Sequence, residues 1–259
     1  MQLIDTHCHL DVAEFSEDLS AVIQRARTVG VGEMVVPAID QAHWQHLREI
    51  VDTHSGLHPA YGLHPMFMPA HRKEQLDQLD QWLHENQAVA VGECGLDFYI
   101  PEHDQSAQIE YFEAQLNIAK NHQLPVIIHC RKAMDQVIHS LRKVRPASGV
   151  LHSFNGSLQQ AEQCMDLGFL FGIGGPITYE RAKKFRKLVA QLPEDSLLLE
   201  TDAPDQPVHG YQGQRNEPAR IIHVLGAIAE VRGETPEAVA SYTTENARRL
   251  FRLSEQPSS

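Results

Sequence analysis

A chain of 259 residues with 42% hydrophobic and 22% charged side chains has an ordinary globular composition, so it buries one large core and is neither disordered nor membrane-like. A formal net charge of −12 excludes a protein that grips nucleic acid through a broad basic surface; a polyanionic substrate would have to be held locally, as divalent cations do when they invert the sign of a site. No basic segment with an apolar core and cleavage site opens the chain, and no apolar run approaches the roughly 20 residues of a membrane helix. A cytoplasmic protein is expected, with Cys8, Cys94, Cys130 and Cys164 reduced and packed as small hydrophobes, since they lack CxxC spacing.

Taken in chain order, the first apolar run (2–5) leads into His7-Cys8-His9. Residues two apart on a strand share a face, so both histidines aim into one mouth while Cys8 turns back. Alone, the pair reads equally as two packing or turn-capping histidines. Next, Ser16-Glu17-Asp18-Leu19 starts a helix whose apolar face is Leu19, Val22, Ile23 and Ala26, with Gly30 as its left-handed exit.

Further strands are predicted at 33–36, 59–62 and 88–92, the last running into Gly92-Glu93-Cys94. A carboxylate between glycines at the end of an apolar strand is costly to bury unpaired. An amphipathic helix carrying Ile109, Phe112, Leu116 and Ala119 precedes Pro125, which prevents its continuation. The runs 125–129, 149–152, 169–172 and 197–200 follow; three of them lead into His129-Cys130-Arg131, His152-Ser153-Phe154 and Glu200-Thr201-Asp202. Towards the carboxyl terminus, Ile222, Leu225, Ile228 and Ala229 form an apolar stripe, Thr235-Pro236 opens a last helix docked by Ala247, Leu250 and Phe251, and residues 254–259 are expected to fray.

Eight apolar runs alternating with helical stretches predict an α/β fold of the (β/α)8 TIM-barrel type, one domain over residues 1–259. Ligand-type residues then fall at the ends of five strands, on the face where barrel enzymes build their sites. Four histidines with two carboxylates suit two borderline cations such as zinc or manganese better than magnesium. Glu93 is able to bridge them, and Asp202 to accept a proton from water. His43, His46, His54, His71, His84, His103, His122 and His139 fall in helices or loops and are expected at the surface.

In this order, Asp5-Thr6-His7-Cys8-His9-Leu10, Gly62-Leu63-His64-Pro65, Gly92-Glu93-Cys94-Gly95-Leu96-Asp97, Pro125-Val126-Ile127-Ile128-His129-Cys130-Arg131, His152-Ser153-Phe154-Asn155-Gly156 and Glu200-Thr201-Asp202-Ala203-Pro204 closely resemble the TatD family of metal-dependent deoxyribonucleases, nearly end to end. The resemblance implies metal ligation by His7, His9, Glu93, His129, His152 and Asp202, with Glu93 shared, and a substrate or phosphate contact for His64. Arg131, beside His129, suits a phosphate clamp because its fork binds bidentately. Arg215-Asn216-Glu217-Pro218 also resembles a family segment and stays outside the core site. One departure, Asp205-Gln206-Pro207, is expected to affect substrate shape and not metal binding.

The leading expectation is a nuclease that cleaves DNA phosphodiesters with two divalent cations, without an obligate protein partner. The alternatives are hydrolysis of an amide, lactone or other ester, and a non-enzymatic metal-holding or quality-control barrel. Barrels of the first alternative often bridge their metals with a modified lysine, where this chain has Glu93.

Overall fold

The computed structural model describes residues 1–100, 102 and 104–254, so His103 and most of the tail expected to fray lie outside the described residues. Eight parallel strands stand side by side in chain order: β1 (Leu3–Asp5), β2 (Val31–Pro37), β3 (Leu57–Tyr61), β4 (Ala90–Asp97), β5 (Val126–Arg131), β6 (Gly149–Leu151), β7 (Phe169–Ile173) and β8 (Leu197–Leu199). Seven helices connect them: α1 (Leu19–Thr28), α2 (Gln41–Thr53), α3 (Glu74–Glu85), α4 (Gln105–His122), α5 (Met134–Val144), α6 (Leu158–Met165) and α7 (Lys183–Gln191), before α8 (Ile221–Arg232) and α9 (Pro236–Phe251) end the chain. The expected TIM barrel is the observed fold. Among the described residues no helix is long and apolar enough to cross a membrane.

The barrel interior is filled from below by one side chain per strand. Ile4, Val35, Ala60, Ala90, Ile127, Val150 and Leu198 are buried there, with the half-buried Leu170 from β7, and are joined by Ala247, Leu250 and Phe251 of α9, which plug the amino-terminal end. Apolar layers of this kind make the barrel a packed core and not a pore. The top of the barrel is left to the polar residues.

Two predicted details move. β4 continues through Gly95, Leu96 and Asp97, which pair with His129, Cys130 and Arg131 of β5, so Glu93 lies inside a strand and not beyond its end. This pairing needs Gly95 at φ +142°, where an added Cβ would strike the His129 carbonyl oxygen. In α8 it is Ile221 that is buried, with Val224, Leu225 and Ile228, while Ile222 is 38% exposed. Adjacent isoleucines left the face undetermined, and packing against both α7 and α9 chose it.

The barrel closes where the chain's beginning meets its end. Thr6 N donates to the Leu199 carbonyl (2.9 Å), Asp202 N to His7 O (2.9 Å) and His9 N to Ala203 O (2.7 Å). Asp5, fully buried, reinforces this seam by accepting from Thr201 Oγ1 (2.6 Å), Thr201 N (3.0 Å) and His7 N (3.2 Å). Asp5→Ala strands three buried donors and should lower stability by about 3 kcal/mol or more, a fall of roughly 6–12 °C in melting temperature. A melting curve within about 1 °C of wild type, under about 0.5 kcal/mol, would show that the seam does not depend on Asp5.

Candidate metal centre at the mouth of the barrel

The six predicted ligands converge. His7 Nε2 lies 3.1 Å from Glu93 Oε2 and 3.6 Å from Asp202 Oδ1, and His9 Nε2 lies 3.5 and 3.6 Å from the same two oxygens. On the other side of Glu93, Oε1 is 3.2 Å from His129 Nδ1 and 3.9 Å from His152 Nε2, which is also 3.7 Å from Asp202 Oδ1. Glu93 thus offers one oxygen to each half of the site.

Hydrogen bonds on the far side of the rings fix what each imidazole presents. His9 Nδ1 is 3.0 Å from the Pro37 carbonyl and His129 Nε2 is 3.1 Å from Asp97 Oδ2. Both partners are acceptors, so these nitrogens carry a proton, and a ring that gives up its other proton to a metal turns that lone pair inward. Those lone pairs face carboxylate oxygens and, for His9, another imidazole nitrogen, His7 Nε2, at 3.2 Å. Acceptors facing acceptors repel unless a proton or a cation sits between them. Glu93 Oε1 and His7 Nδ1 are buried without an aligned hydrogen-bond partner. The donor set of nitrogens and carboxylates fits borderline divalent cations.

His64 differs from the other histidines. Its Nδ1 accepts from Met66 N (3.1 Å), which leaves the proton of the neutral ring on Nε2, 3.1 Å from Glu93 Oε1. Burial is the main cause that lowers its pKa to about 4, so the ring is neutral and presents a proton, not a lone pair, to the centre. Arg131 stands apart from the ligands at the exposed end of β5, its guanidinium 3.7 Å over the Tyr99 ring, and it lines the same cleft of about 1270 Å³.

The supporting residues carried no individual role in the sequence. Asp97 orients His129, and Glu200 Oε1, fully buried, sits 3.1 Å from His152 Nδ1. Such carboxylate–histidine pairs fix ring tautomer and basicity; the signal in the sequence is a second carboxylate near the same strand end, Asp97 after Glu93 and Glu200 before Asp202. Gln206 Nε2 donates to Asp202 Oδ2 (2.6 Å), so the departure at Asp205-Gln206-Pro207 touches a ligand candidate and not only the substrate side. Asn216, buried below this turn, donates to the carbonyls of Thr201 and Asp205 (both 2.9 Å). Asp202 and Ser153 hold left-handed φ values of 57° and 47°, strain of about 1–3 kcal/mol each that surrounding structure must offset.

Some histidines expected at the surface are engaged. His43 lines the cleft and lies 2.7 Å from Asp40, and His71 Nε2 lies 2.9 Å from the His64 carbonyl. Cys130 likewise is only half-buried and borders the cleft, unlike the other three thiols.

Residues 4–252 match the sequence pattern of the TatD-related DNases. The chain belongs to the TatD family. It is 42% identical over 255 residues to the uncharacterized metal-dependent hydrolase YjjV of Escherichia coli K12, covering 97% of this chain and 98% of that protein. It is 34% identical over 262 residues to a 3'-5' ssDNA/RNA exonuclease TatD of a Pantoea species, covering 97% and 100%. The crystal structure of the YjjV TatD homolog from Escherichia coli superposes with a TM-score of 0.94 at 40% identity, over 97% of this chain and 98% of that one. This TatD-family chain is accordingly a metal-dependent hydrolase, and its convergent imidazoles and carboxylates occupy the mouth of the shared barrel.

Burial and neighbours divide the histidines of this TatD site. Desolvation drives His7 well below its ordinary range. His152 is equally buried, but Glu200, Asp202 and Glu93 outweigh that burial and push it up to about 10. An imidazole must shed its proton to hold a metal, so acidification opposes loading. Apparent metal affinity should fall by up to about tenfold per unit between roughly pH 8 and pH 6, one proton being released. Calorimetric titration with zinc or manganese at those pH values measures this, and a flat profile would exclude proton displacement. Asp97→Asn should weaken metal binding about 10- to 100-fold through His129; unchanged affinity in the same titration would deny Asp97 an orienting role.

Proposed function

We propose that the protein is a phosphodiesterase that shortens single-stranded nucleic acid, using two divalent cations, zinc or manganese, held by His7, His9, Glu93, His129, His152 and Asp202. The observation that carries this reading is the inward orientation of the His9 and His129 lone pairs onto Glu93 and Asp202 at the open mouth of the barrel. When bound, paired cations of this kind lower the pKa of water and stabilise both the attacking and the leaving oxygen of an in-line displacement.

The chain's own residues supply the rest. Glu93 divides its two oxygens between the halves of the centre, and His64 Nε2 stands 3.1 Å from Oε1, the oxygen turned away from His7. The Gln206 amide occupies Asp202 Oδ2, which leaves Oδ1 as the atom that takes the proton of the attacking water. Burial is the main cause that raises the Asp202 pKa, against the opposing His152 and His9, so this carboxylate is more basic than an exposed one. Arg131, braced on Tyr99, offers a fork that suits the two non-bridging oxygens of a phosphodiester. The Pantoea relative's name supports a single-stranded polymer as substrate. Four free thiols support a reducing, cytoplasmic setting.

Metal-loaded protein should digest labelled single-stranded DNA, and Asp202→Ala should lower kcat by roughly 10²- to 10⁴-fold with the fold intact. Oligonucleotides labelled at either end give polarity from the same gels. Equal cleavage by Asp202→Ala would sink the assignment of the proton acceptor. Turnover of cyclic amides or lactones, with no phosphodiester cut, would replace the reading altogether.

A further inference from the structure

Although the chain is acidic as a whole, the rim of its cleft is divided by sign. Arg131, Arg181, Lys183 and Lys184 line the cleft, and so do Glu14 and Asp205. Glu14 follows β1 and Asp205 follows β8, the two strands that meet at the seam, whereas Arg131 ends β5 and the other three cations follow β7. The cations therefore follow the β5–β7 arc of the barrel mouth and the carboxylates the adjoining β8–β1 arc.

Residues 181–187, Arg-Ala-Lys-Lys-Phe-Arg-Lys, place five cations in seven positions without a carboxylate. They are of two kinds. Arg186 is tied down, Nη1 donating to the Ile177 carbonyl (3.0 Å) and Nη2 lying 2.9 Å from Glu230. Arg181, Lys183, Lys184 and Lys187 are exposed, and among the described residues none of them pairs with a carboxylate. Like charges gathered without partners repel each other, an arrangement that a polyanion relieves. Phe185 lies within this run and borders the same cleft, which gives the cationic wall an aromatic face.

We propose that Arg181, Lys183 and Lys184, on the segment between β7 and α7, form a track for the backbone of single-stranded nucleic acid, which reaches the centre from the β5–β7 side and is repelled from the β1–β8 side by Glu14 and Asp205. The inference rests on the phosphodiesterase reading and adds the direction of approach and the residues that favour a polymer over a small diester. Stacking on Phe185 is sequence-tolerant, because every base has a π-face.

The test compares metal-loaded wild type with a triple variant, R181Q/K183Q/K184Q, and with Glu14→Lys. Binding of a fluorescent phosphorothioate oligothymidylate is followed by anisotropy across a salt series, and hydrolysis of bis(p-nitrophenyl) phosphate is followed in parallel. The triple variant should bind about 10- to 100-fold more weakly at about 50 mM salt, with a log–log salt slope shallower by about 2, some 0.7 per lost contact. Its hydrolysis of the small diester should stay within about twofold of wild type, since no substituted residue reaches the centre. Glu14→Lys should tighten binding by about threefold or more, a gain that damage to the fold does not produce. Unchanged affinity and slope in the triple variant, or no tightening by Glu14→Lys, overturns the track whatever the cleavage results. A wild type that binds with the expected slope, loses it in the triple variant and yet cuts no phosphodiester upholds the track and overturns the catalytic reading.

Discussion

Glu93 is 1% exposed in the middle of a strand, and an ionised carboxylate there is tolerated only if opposite charge or strong donors surround it. Burial alone would raise its pKa, but His64, His7, His152 and His129 together hold it well below the usual carboxylate range. Those imidazoles come from β1, β3, β5 and β6, so one side chain dictates how four strand ends are placed. Cations would satisfy the same oxygens and imidazole lone pairs more completely than protons do.

A polar cluster of this density does not hold a barrel together. Stability is supplied below it, where the apolar side chains of the strands meet the end of α9, and beside it, where Asp5 and Thr201 fasten the first strand to the last. The seam also serves the chemistry. By pairing His7 and His9 backbone with Asp202 and Ala203, it brings together ligand candidates almost two hundred residues apart. Separating a rigid apolar base from a strained, charged mouth is the usual division in barrel enzymes, where catalytic residues gather at the carboxyl ends of strands.

Charge is organised on a larger scale as well. A net −12 suggests a protein that avoids polyanions, but long-range repulsion is screened within about 8–10 Å at physiological salt, so the local field at the cleft decides binding. Among the described residues, the cations after β7 and at the end of β5 that line the cleft have no carboxylate partner, and with divalent cations held at the proposed centre they would make that local field attractive.

The sequence by itself determined the barrel, the order of its strands and the candidate ligand residues, because the period of apolar residues records which segments are buried, and a charged residue at the end of such a run is too costly to bury there without a partner of opposite charge. His7, Glu93, His129, His152 and Asp202 were legible in this way, each beside an apolar strand. What only the tertiary structure decided was the direction of each polar atom: that His64 turns a proton and not a lone pair towards Glu93, that Asp97 and Glu200 stand behind His129 and His152, and that Gln206 reaches Asp202. These depend on ring orientation and on contacts between strands far apart in the chain, neither of which leaves a periodic mark. The same holds for α8, where neighbouring isoleucines gave no preference until α7 and α9 packed against one face, and for residues 181–187, whose charge is visible in the sequence but whose position at the cleft is not.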